Sequence, residues 1–147
     1  MPTHTSSTTL PCSLAVARDF LGKTAHLPDT SDPDLELEVL NAPEDIVVDS
    51  VIEFRISAYG FKQTMKHRYV DVSDVLIVAE QIDGPTRSWV HRQKLTDNGD
   101  GTCTLTDEIE FEPPGGMLGF VMTAEKVLES IQGGMEHRYE TLIERLQ

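Results

Sequence analysis

Chemistry in this chain centres on His91 and Asp107, which sit on two strand-like segments, Arg87–Thr96 and Thr102–Glu112, joined by Asp97-Asn98-Gly99-Asp100-Gly101. Asn and Gly tolerate positive φ, so this junction reads as a hairpin turn. Counting outward from it sets Leu95 against Cys103, Gln93 against Leu105, His91 against Asp107 and Trp89 against Ile109. A carboxylate beside an imidazole fixes its tautomer and favours its charged form, so the pair can orient a ligand hydroxyl or serve as a general base. The same pair can equally be a satisfied bridge inside a core, because buried polar groups left unpaired cost about 1–3 kcal/mol each. Trp89 is either a stacking platform for a flat ligand or the largest core residue, and Gln93 shares its face.

A second pair, His67 and Tyr69, follows from the alternation in Val51–Ala58, where Ile52, Phe54, Ile56 and Ala58 share one face. A two-residue corner at Gly60-Phe61 would place Ile56 opposite Met65, Phe54 opposite His67, Ile52 opposite Tyr69 and Glu53 opposite Arg68. His67 and Tyr69 then point inward, as ligand contacts or as packing. Gln81 is open: a four-residue loop through Asp83–Thr86 turns it outward, whereas a bulge turns it inward beside Trp89. The Asp97–Gly101 turn lacks the acidic third position and terminal Glu of a calcium loop. His4, His26 and His137 have no ligand spacing, and no zincin, Cys-x-x-Cys, Walker, Rossmann or nucleophile-elbow pattern occurs. No metal or cofactor is expected.

Seven strand-like stretches must position these groups: Thr3–Leu10, Asp34–Leu40, Val51–Ala58, Gln63–Asp71, Val75–Ile82 and the two hairpin segments. Ser13 can cap a short helix that turns Leu14, Ala17, Phe20 and Leu21 inward and stops at Gly22, and a second short helix near Lys23–Leu27 ends before Pro28. After Pro113-Pro114-Gly115-Gly116 a helix is expected from about Met117 to Leu146, with Leu128, Ile131, Met135, Leu142 and Leu146 on one face. At 1.5 Å per residue it would span roughly 45 Å. Gly133-Gly134 within it is either a tolerated kink or a device that keeps space open beneath the helix. The expectation is an α+β fold in which one long helix covers a sheet, with a pocket between them and Met135 on its wall.

Composition narrows the function. With 12 basic against 25 acidic residues the net charge is −13, which repels phosphate backbones and anionic membranes. Cys12 and Cys103 are isolated thiols, and no leader-like segment or membrane-spanning apolar run is present. A single domain over residues 1–147, cytoplasmic, without nucleic-acid partners or a membrane span, monomeric or homodimeric, is expected.

The order of strand, two short helices, six strands and long helix resembles the helix-grip fold of the START-like (SRPBCC) superfamily, which includes polyketide cyclase/dehydratase-like, lipid-transfer and birch-pollen-allergen-related domains. The likeness is to its small bacterial ligand-binding branch. It is carried by Tyr59-Gly60-Phe61-Lys62-Gln63, by Gln81-x-x-Gly84-Pro85-x-x-x-Trp89-x-His91-x-Gln93, by Gly101-Thr102 with Asp107, by Pro114-x-Gly116, and by Arg138-Tyr139 in the last helix. Gln93 departs from the pattern, since many relatives carry a second His there, which weakens a two-histidine metal site. The resemblance implies a seven-stranded antiparallel sheet wrapped around the last helix and an apolar cavity for a small hydrophobic ligand. The inward faces make His67, Tyr69, Trp89, His91, Gln93, Asp107 and Met135 the expected contacts. A non-catalytic carrier or sensor is the expected role. The alternatives are a cyclase/dehydratase using His91 with Asp107, and an interaction module acting through its acidic surface.

Overall fold

The computed structural model describes residues 1–147. Seven strands, β1 (Thr3–Leu10), β2 (Glu38–Asn41), β3 (Val51–Ala58), β4 (Phe61–Val72), β5 (Leu76–Asp83), β6 (Ser88–Asp97) and β7 (Cys103–Glu112), form one antiparallel sheet in the order β1-β7-β6-β5-β4-β3-β2. Strands β2 to β7 form a meander, and β1 closes it by pairing with β7. Between β1 and β2 the chain crosses from one edge to the other through α1 (Leu14–Leu21) and α2 (Leu27–Thr30). Ser13 Oγ accepts the Val16 N–H at 3.3 Å and Ala17 and Leu21 are buried, as the apolar spacing of this segment requires. The second short helix differs from its expected bounds. Residues 24–26 form a 3₁₀ turn and α2 runs through Pro28, because proline in a first helical turn lacks only a donor that would be unpaired anyway.

Strand faces agree with the alternation, but two registers are corrected. The β3–β4 turn is Tyr59-Gly60, not Gly60-Phe61, so Phe54 lies opposite Met65, Ile52 opposite His67 and Ile56 opposite Gln63. Tyr59 and Gly60 have φ of 54° and 85°, the positive-φ pair that a two-residue turn matching strand twist demands. Glu53 therefore faces Lys66, whose Nζ lies 3.5 Å from its carboxylate, rather than Arg68. In the β6–β7 hairpin Thr102 belongs to the loop: it receives the Asn98 N–H on its carbonyl at 3.1 Å and donates its own N–H to Asp100 Oδ1 at 3.0 Å. Leu95 thus faces Leu105, Gln93 faces Asp107, His91 faces Ile109 and Trp89 faces Phe111. Each correction moves partners by two residues, which preserves the face.

The last helix, α3, covers Ala124–Arg145, with Thr123 Oγ1 accepting the Lys126 N–H. It is shorter than the expected Met117–Leu146 because residues 116–120 make a separate 3₁₀ turn. Its 22 residues rise roughly 33 Å. The helix continues without interruption through Gly133-Gly134. Below its carboxyl-terminal half Leu142 and Leu146 join Leu10, Leu105, Ile77 and Ile52 in the larger core, and below its amino-terminal half Val127, Ile131 and Met135 pack with Ile109, Phe111 and Met122.

Replacing Gly60 by Ala forces a side chain into the left-handed region at φ 85° and is expected to cost about 1–2 kcal/mol. Urea unfolding should show a lower midpoint with an unchanged slope.

Candidate functional site

Between the two core clusters, on the face of α3 that carries Ile131, Met135 and Leu142, stands Arg138, only 8 % exposed. A guanidinium cannot be removed from water without partners, and the sheet supplies them. Arg138 Nε donates to Asp107 Oδ2 at 3.1 Å, and its Nη2 donates to Gln93 Oε1 at 2.7 Å and to Asp107 Oδ1 at 3.3 Å. Asp107 is wholly buried and also accepts from His91 Nε2 at 2.7 Å. Although Gln93, not His91, lies directly across from Asp107, the diagonal neighbour is within reach of an imidazole. Burial alone would raise the Asp107 carboxyl, but the Arg138 charge and the His91 hydrogen bond outweigh it and hold it well below the usual carboxylate range. Asp107 is therefore an acceptor, so the proton of this bond sits on His91 Nε2, and Nδ1 makes no hydrogen bond within the protein. Arg138 Nη1 is likewise unused by these bonds.

Around this cluster the sheet and α3 enclose a hollow of two adjoining lobes, of about 270 and 210 Å³. His67, Trp89, His91 and Arg138 border both lobes. The larger lobe is walled by apolar side chains including Ile56, Met65, Ile109, Met122 and Ile131. The smaller reaches Phe20, Ile46, Ile52 and Ala79 beneath the short helices. Of the residues singled out from sequence, Met135 lies on the larger lobe and Tyr69 and Gln93 on the smaller. Asp107 is on neither wall: it stands behind His91 and Arg138. Trp89 also packs against Phe111, with ring centroids 5.7 Å apart. His67 meets Phe54 edge-on at 4.9 Å. Burial, helped by nearby His91, pushes the His67 pKa down to about 4, and burial pushes the Tyr69 hydroxyl up to about 12. Both are uncharged at neutral pH.

Gln81 turns inward. A bulge pairs it with His67 while Lys66 pairs with Asp83, and it borders the larger lobe. Both polar atoms of its amide are engaged, because Nε2 donates to the Thr86 carbonyl at 2.6 Å and Oε1 accepts from Thr86 Oγ1 at 2.9 Å. A Cβ at Gly84 would collide with this pinned amide, so the Gln81-x-x-Gly84 spacing serves the β5–β6 turn. Gly134 also borders the larger lobe, and a Cβ there would meet only Asp32 Cβ at 3.8 Å.

Two residues that carry the family resemblance, Arg138 and Gln63, have site positions that the sequence reasoning does not assign. Arg138 recurs at helical spacing with Ile131, Met135 and Leu142, so a charge on an apolar stripe was the available signal. Gln63 shares the inward face of β4 with Met65 and His67; it is 6 % exposed, its Nε2 contacts Met122 Sδ at 3.9 Å, and its Oε1 is buried without a partner.

This architecture is the helix-grip fold of START-like proteins. A Chromobacterium violaceum protein superposes with a TM-score of 0.75 at 14 % identity, covering 99 % of this chain and 96 % of that one. A START superfamily protein from Mycobacterium smegmatis gives 0.69 at 12 % identity over 98 % and 96 %. The major latex-like protein 151 of Panax ginseng gives 0.62 at 15 % identity over 92 % and 93 %. No family model matches the chain, and no curated protein matches it significantly. No helix is long and apolar enough to cross a membrane.

Removing Arg138 while keeping Asp107 leaves a buried carboxylate unpaired. Arg138→Met should lose about 3–5 kcal/mol in urea unfolding, and Arg138→Met with Asp107→Leu should lose markedly less. His67, with a folded pKa of about 4 against an ordinary 6.5, binds its proton more readily in the unfolded chain. Its contribution to stability is present above about pH 6.5 and is lost as the pH falls toward 4. Between pH 7 and pH 5 this amounts to about 2 kcal/mol, and in His67→Phe that part of the pH dependence should disappear from the unfolding curves.

Proposed function

We propose that this protein binds a small hydrophobic or amphipathic molecule in the hollow between sheet and α3, as a carrier or sensor. The observation that carries this reading is the large apolar lobe ending on a few polar groups, His67, His91 and Arg138 among them. Apolar area of this kind supplies affinity, while a few convergent polar atoms fix orientation. Asp107 holds His91 and Arg138, and Arg138 in turn donates to Gln93, so their atoms are set before a ligand arrives. This pre-organisation lowers the entropy lost on binding. Trp89, the single tryptophan of the chain, borders both lobes and reports occupancy.

The 2.7 Å contact between His91 and Asp107 supports a second reading, a cyclase or dehydratase in which free Nδ1 of His91 takes a proton from the substrate and Asp107 orients the ring. Under it, His91→Ala abolishes turnover of a poly-β-ketone while binding survives. Under the carrier reading no cyclisation or dehydration beyond that in buffer is seen.

Native mass spectrometry of the protein taken from its producing cell should show a non-covalent small-molecule adduct. Gly134→Leu, which replaces a glycine in the middle of a helix and fills space beside the lobe, should gain about 1 kcal/mol of stability and lose the adduct. A protein free of any adduct, whose Trp89 emission ignores hydrophobic dyes, would overturn the binding role.

A further inference from the structure

The inner wall of the larger lobe carries unused hydrogen-bonding capacity at two separated places. At the inner end are His91 Nδ1 and Arg138 Nη1, left free by the bonds to Asp107 and Gln93. The guanidinium can only donate. Toward the other end of β4 is Gln63, 6 % exposed, whose amide is oriented by the Nε2 contact with Met122 and whose Oε1 is buried without a partner. That carbonyl can only accept. Gln63 and His67 lie on the same strand face and both border this lobe. Four residues of strand separate them by about 13 Å. Ile56, Met65, Ile109 and Ile131 stand on the walls of the same lobe.

Gln81, the other amide on this lobe, provides the contrast. Both of its polar atoms already have a partner in Thr86, so neither is orphaned without a ligand. An orphaned buried carbonyl is destabilising in a chain folded for stability alone, and a leucine at Gln63 would avoid that cost while packing on Met122. Retaining an acceptor there has a physical use if the occupant brings the donor.

We infer that the larger lobe selects an elongated lipophile with an oxygen function at each end, a hydroxyl or N–H donor that reaches Gln63 and an acceptor oxygen that reaches Arg138 Nη1. The inference rests on the binding role proposed above. It excludes plain hydrocarbons and singly functionalised chains as preferred occupants, since each leaves one end unmatched.

Trp89 fluorescence titrations with straight-chain probes of about ten carbons, matched to the roughly 13 Å of strand between Gln63 and His67, test it. The probes are the terminal diol's monomethyl ether, its dimethyl ether and the simple primary alcohol. The monomethyl ether, with a donor at one end and an acceptor at the other, should bind about tenfold more tightly than the dimethyl ether, and more tightly than the alcohol. In Gln63→Leu the two ethers should become equal. Thermal melting of ligand-free Gln63→Leu should match wild type or exceed it by a few degrees, because an unmatched carbonyl is removed. A clearly lower melting temperature would show that the amide is paired within the protein and would overturn the inference. Two ethers that bind wild type alike overturn it while leaving the binding role intact. Probes that leave Trp89 emission unchanged up to their solubility limits, together with an adduct-free native protein, overturn both.

Discussion

The ion pair between Arg138 and Asp107 joins the last helix to the middle of β7 with both charges out of water. Such a pair returns less than well-packed apolar side chains would, since the desolvation of two ions offsets most of their attraction. Its directional geometry is what apolar packing lacks. Two contacts to one carboxylate and a third to Gln93 specify both the rotation of α3 about its axis and its position along β7. An apolar helix face alone would be free to slide toward closer packing and close the space beneath it.

That constraint separates the two core clusters. On one side Leu142 is fully buried against β1 and β7 with Leu10 and Leu105; on the other, Ile131 and Met135 border a hollow. The same carboxylate that anchors the helix also orients His91, so the polar end of the hollow and the mechanical joint of the fold are one network. A change at Asp107 therefore touches stability and site together, whereas Trp89 and Gln63 touch the hollow without entering the ion pair.

Much of the fold was legible because strand alternation has a period of two. The inward sets of β3, β4, β6 and β7 were assigned by parity, and both register errors left parity unchanged. That is why the nearness of His91 and Asp107 survived a wrong pairing: the two belong to one face and meet diagonally. Turn phase was not legible to one residue, since Tyr59 adopts a positive φ that its residue type disfavours and Thr102 enters its loop through a side-chain bond accepted from Asn98 and one donated to Asp100. The start of α3 is not legible either, because Met117, Leu118 and Phe120 have helix-compatible composition but lie in a 3₁₀ turn where Met117 and Phe120 are exposed.

By itself the sequence determined the element order, the faces of the strands, the apolar stripe of the last helix and the acidic surface, all of which follow from local spacing and charge. Tertiary structure alone decided that Arg138 meets Asp107 and Gln93, that Gln81 turns in at a bulge and pairs with Thr86, that Gln63 is left with an unmatched carbonyl, and that a hollow persists. These depend on which groups meet across elements 31 or more residues apart or on how a bulge and a turn close. Hydrogen-bond partners are set by distances of a few ångströms, and local periodicity carries no information about such distances between remote segments.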